Sequence, residues 1–156
     1  MAKQFLKPVY KQIYGDDFTA TSFDKRMEMQ KGIYLLQESG ITVGDYDFLW
    51  YKHGPYSQRL QDDMLELNAV PNISICYTEE ALKTMKKMND VLNRQVSYKR
   101  SEWAECLASL QYLKANVLSF NAKEDEIVDE LINRKPHLSD RELDKTALTC
   151  LAEILS

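Results

Sequence analysis

Residues 27–64 read MEMQKGIYLLQESGITVGDYDFLWYKHGPYSQRLQDDM. By pattern this stretch is a helix, a strand, a tight turn and a second helix. Around its first part, Phe23 to Gln37 places Met27, Met29, Ile33, Tyr34 and Leu36 on a wide apolar stripe. Asp24, Glu28, Lys31 and Glu38 fall on the polar face. There Glu28 can pair with Lys31, at roughly a few tenths of a kcal/mol. Gly32 inside the helix costs about 1 kcal/mol relative to Ala, which predicts the close approach of another backbone. Gly40 stops the helix.

Tyr46, Phe48 and Trp50 alternate with Asp45, Asp47 and Leu49. Period-2 alternation with aromatics on one side predicts a half-buried strand. Gly54-Pro55 is expected to end it, because proline has no N–H to give a ladder. Ser57 is the expected N-cap of the next helix, with Leu60, Met64 and Leu67 on its inner side.

These residues carry a resemblance. Met29-Gln30-Lys31-Gly32-Ile33-Tyr34-Leu35-Leu36-Gln37, then Tyr46-Asp47-Phe48, then Tyr51-Lys52-His53-Gly54-Pro55-Tyr56-Ser57 with Leu60, resembles the YwgA-like bacterial family. The apolar spacing of Leu110 to Phe120 and Leu138 to Leu155 extends the likeness over most of the chain. A similar block occurs in the toxin-binding domains of antitoxins that oppose DNA ADP-ribosyltransferase toxins, and more distantly in Panacea-type antitoxin domains. His53 departs from the residues common at its position in the family. The resemblance implies one YwgA-like domain over residues 1–156. It also implies a mainly α fold: a winged-helix-like helical core, a minor short β-sheet and a C-terminal helical set. The function it implies is a non-enzymatic binding module, antitoxin-like or regulatory.

Composition bounds the alternatives. A chain of 156 residues with 44% hydrophobic and 28% charged residues is long enough for one sizeable core. No apolar run approaches the ~20 residues that span a bilayer, and no signal-peptide core opens the chain. Cys76, Cys106 and Cys150 are odd in number and widely spaced, which favours free thiols and a cytoplasmic location. The net charge of −4 resides in residues 121–156, with nine acidic against five basic side chains. An acidic balance fits a basic protein partner, such as a toxin or nucleic-acid enzyme, better than nucleic acid itself.

The remaining segments read mostly as helices. Phe5, Val9 and Ile13 mark a first helix over 2–14, interrupted by Pro8. Ile73, Ile75 and Tyr77 suggest one short arm of a wing that is reduced or absent. Residues 79–94 and 101–119 follow as helices, the latter with Trp103, Cys106, Leu107, Leu110, Leu113 and Val117 inward. Another helix starts near Glu124. Ser139 and Glu142 form a capping box for the last one.

No catalytic signature stands out. The only histidines, His53 and His137, lack metal-ligand spacing, so neither a metal nor another cofactor is expected. The chain has no G-x-S-x-G, phosphate loop or G-x-G-x-x-G. Asp16-Asp17, Asp62-Asp63 and Glu124-Asp125-Glu126 are neighbours that point apart on a helix, not acid/base dyads. An enzyme is therefore not expected. The alternative reading is a DNA-binding winged-helix regulator, but Arg59 on its recognition helix faces Asp62, Asp63 and Glu66. The basic run from Lys83 to Arg94 would then be the phosphate-tracking face. The favoured interaction residues are Tyr51, His53, Tyr56 and Arg59 near the turn, with Gln30 at the edge of the helical stripe.

Overall fold

The computed structural model describes residues 2–155. The chain is mainly α, with one two-stranded antiparallel sheet. In order come α1 (Leu6–Tyr14), α2 (Phe23–Glu38), β1 (Leu49–Tyr51), β2 (Gly54–Tyr56), α3 (Gln58–Leu65), α4 (Glu79–Leu92), α5 (Arg100–Tyr112), α6 (Glu124–Arg134) and α7 (Arg141–Leu155). Among the described residues, no helix is long and apolar enough to cross a membrane.

The core is built on two helices packed against each other, α2 and α5. Every residue from Met27 to Leu36 is buried, and so is every residue from Ser101 to Leu110 except Glu102. The other helices surround this pair: α1 lies on α4, and α7 on α5, α4 and α6. Pro8 is accommodated because it falls in the first turn of α1, where its missing N–H is not needed.

Burial of α2 from Met27 to Leu36 overturns the middle of the expected polar face, while Asp24 is half-exposed and Glu38 exposed at its two ends. Glu28 and Lys31 are both buried, and they do not pair with each other. Glu28 accepts hydrogen bonds from Tyr10 Oη at 2.6 Å and from Arg100 Nε at 2.8 Å. The Arg100 guanidinium also reaches Asp16 at 2.9 Å, tying α1, α2 and α5 together. At Gly32 the close neighbour is a side chain rather than a backbone. A Cβ there would meet Ile13 Cδ1 at 2.6 Å.

Three boundaries also differ from the pattern reading. The helix expected over 101–119 ends at Tyr112 and passes into one π-helical turn, Leu113–Val117, which leaves Val117 exposed. The cap of α7 is Asp140, whose Oδ1 accepts from Leu143 N at 3.1 Å, not Ser139. Residues 71–78 contain no strand, yet Ile73, Ile75 and Tyr77 are partly buried, the last two against the core, while Ser74 and Cys76 are exposed. No wing follows α3 among the described residues. Cys106 and Cys150 are buried free thiols, and Cys76 is an exposed one.

Candidate functional site

The sheet is a single hairpin between α2 and α3, with Trp50 opposite Pro55 and Tyr51 opposite Gly54. Gly54-Pro55 therefore forms the second strand instead of ending the first, and the paired part of β1 is shorter than the alternation implies. Gly54 is left-handed at φ +88° while Lys52 and His53 are not. A turn closed by a left-handed glycine is the usual geometry of a short bulged hairpin.

A hairpin of this size is marginal alone. Here it is fastened from beneath by buried charge. Lys31 Nζ, on α2, donates to Pro55 O at 2.8 Å. Lys135 Nζ, just past α6, donates to Lys52 O and to Tyr51 O. Between them lies Glu105 of α5, whose side chain is 1% exposed. Its carboxylate is 3.6 Å from Lys135 Nζ, 3.1 Å from His137 Nε2 and 4.0 Å from His53 Nδ1. Burial pushes the Lys31 ammonium down to about 7, partly offset by the Glu105 charge. Lys135 and His53 are also lowered by burial. Neither Lys31, Lys135 nor Glu105 stands out in the sequence, because their partners come from distant segments.

Trp50 is held on the inner face, with the Arg134 and Lys135 cations each 5.2 Å from its ring centroid. The outer face is different. Tyr51 and Tyr56 pack with ring centroids 5.2 Å apart, and Tyr51 is 55% exposed. Phe23 and Leu49 flank this pair and are 52% and 70% exposed.

The tyrosine pair divides two concavities. The first, about 340 Å³, lies between α2 and the hairpin and takes in Gln30, Lys31, His53, Tyr51 and Tyr56. The second, about 520 Å³, lies towards α3 and takes in Asp45, Asp47, Leu49 and Arg59. The structure thus brings Tyr51, Tyr56 and His53 together and sets Arg59 on the far side, where Nη1 reaches Asp45 O at 3.4 Å. Gln30 is buried and reciprocally bonded to Ser57, donating to its carbonyl and accepting from its N–H at 2.9 Å each. It fixes the junction of hairpin and α3. A larger groove of about 740 Å³ between α1 and residues 70–77 is remote from this cluster. Two of its lysines, Lys3 and Lys11, are already paired with Glu66 and Asp17.

Among the described residues no group of three or more metal-ligating side chains forms a cation site. Comparison of the chain with models of known families, with curated proteins and with solved structures finds no match.

Proposed function

We propose that the chain is a protein-binding module, antitoxin-like or regulatory, that engages its partner with the outer face of the hairpin. The observation that carries this reading is the exposed Tyr51, packed on the half-buried Tyr56, with exposed Phe23 and Leu49 beside it. Large apolar side chains in one patch are costly to leave in water and serve as interface anchors. Their backbone is pre-ordered by Lys31, Lys135 and the Gly54 turn, so little conformational entropy is lost on binding. The likeness of the Gln30 to Ser57 block to toxin-binding domains supports a toxin or another regulated protein as the partner.

The test is a matched pair of measurements on Tyr51→Ser with Leu49→Ser. Both side chains are exposed, so thermal unfolding is expected to move little. Capture of the protein encoded beside this chain is expected to weaken at least about tenfold, as loss of an aromatic anchor does. Unchanged capture by the double variant removes the hairpin as the interface. Specific binding of one DNA duplex, lost on changing Lys83, Lys86 and Lys87 of α4, would establish the regulator reading instead.

A further inference from the structure

The cleft between α2 and the hairpin is lined by Arg26, Lys31, Lys52 and His53 and, among the described residues, by no acidic one. This is unexpected on a chain of net charge −4. Lys31 is 1% exposed, and among the described residues its ammonium makes one hydrogen bond, to Pro55 O. An ammonium has three donors, so two N–H groups remain unfilled in a buried position. Its nearest candidate counter-ion, Glu105, is already shared by Lys135, His137 and His53. Arg26 donates to Ala20 O at 2.5 Å and lies over the Phe23 ring, with no carboxylate partner among the described residues. Lys52 lies over the Tyr51 ring, likewise without one. Buried charge without a counter-ion is expensive, and an incoming anion removes that cost.

We propose that this cleft binds an acidic side chain of the partner protein, its carboxylate facing Lys31, Arg26 and His53 and its apolar neighbour resting on Phe23 and Tyr51. The proposal rests on the hairpin being the binding face and specifies what that face recognises. It places an acidic group of the partner here, where a uniformly basic partner would be repelled. The lowered proton affinity of Lys31 accords with a site lacking its counter-ion. A single carboxylate matches a cleft with one deep ammonium and apolar rims. A polyphosphate crossing the tyrosine pair would instead meet Asp45 and Asp47 in the adjoining concavity.

The probe is phenylpropionate, an aromatic carboxylate, compared with its neutral amide and with inorganic phosphate. Amide resonances of the full-length ¹⁵N-labelled protein are followed through each titration. Phenylpropionate is expected to shift resonances of residues 26–31 and 51–56 with a Kd on the order of millimolar, ordinary for so small a ligand. The neutral amide should bind at least about tenfold more weakly, because it cannot satisfy the cations. Lys31→Met and Arg26→Gln should each weaken the acid by about fivefold or more. If Lys31→Met does not fold, Arg26→Gln alone decides. Equal binding of acid and amide, phosphate binding as tight as the carboxylate, or no effect of either variant overturns the proposal. Failure here with capture still lost in the Tyr51→Ser, Leu49→Ser protein would leave the hairpin interface standing and remove only its acidic ligand.

Discussion

Gly54 lies directly against Ser109: a Cβ on the glycine would sit 2.3 Å from Ser109 Oγ. The turn of the hairpin is thereby seated on α5, and its position is set by the absence of a side chain.

Gly54→Ala is therefore expected to destabilise the fold by about 2–4 kcal/mol, from the left-handed φ and the collision together. Ser109→Ala alone should be neutral or slightly stabilising, since its buried hydroxyl has no hydrogen-bond partner. In the double variant the steric part should be relieved and the backbone part should remain. Urea denaturation of all four proteins measures the coupling. Strict additivity would mean that the turn shifts away from α5 without cost.

Glu28 is the acceptor for Tyr10 and Arg100 at the centre of the α1–α2–α5 junction. Glu28→Ala is expected to cost about 1–3 kcal/mol, because it removes the acceptor of Tyr10 and one of the two carboxylates on Arg100, which keeps Asp16. Pairing it with Arg100→Met should recover part of that loss. A cost below 1 kcal/mol in an equilibrium denaturation, of the size roughly expected for a surface pair, would refute the buried junction.

Lys31 gives the protein a defined alkaline response. Its folded ammonium loses its proton near 7, whereas in the unfolded chain it does so near 10.4. Below about pH 7 both states are charged, and the burial cost is fully present. Between the two values only the unfolded chain holds the proton, so stability rises with pH through that window. Against Lys31→Met, the natural protein should gain up to a few kcal/mol between about pH 6 and pH 9. Lys135 and His53 interact with Lys31, so the difference reports the titration of this coupled set. A pH-independent difference in denaturation free energy would show that the ammonium retains ordinary proton affinity.

Asp140 and Ser139 separate the observed cap of α7 from the one the sequence suggests. Asp140→Ala should lower stability by about 1 kcal/mol through loss of the bond to Leu143 N. Ser139→Ala should stay within about 0.5 kcal/mol, as exposed substitutions do. Asp140 also accepts from Ser97 Oγ at 3.1 Å, so Ser97→Ala serves as the control for that second contact. The reverse order of the two costs would reinstate Ser139 as the cap.

Most helices and several of their inner positions are legible in the residue spacing. Trp103, Cys106, Leu107, Leu110 and Leu113 after α4, and Leu60 with Met64 of α3, are buried as their spacing requires. Ser57 caps α3 by accepting from Leu60 N at 3.2 Å, a bond made within four residues and so readable locally. Tyr51, His53 and Tyr56 could be placed near one turn for the same reason. What lay beyond reach is the chemistry beneath them. Helical periodicity separates polar from apolar positions, but it does not distinguish a polar stripe in water from one sealed by other helices. Glu28 and Lys31 look like an ordinary solvated pair three residues apart. Their real partners are Arg100 and Pro55 O, 72 and 24 residues away. Only the packing of α2 against α5 makes one of them the hub of a junction and the other a buried ammonium facing a cleft. The same packing moved Arg59 away from His53, since α3 leaves the hairpin on the opposite side of the tyrosine pair. Contacts within a turn of chain follow from local geometry. A buried charge cluster exists only once distant segments have excluded water from it.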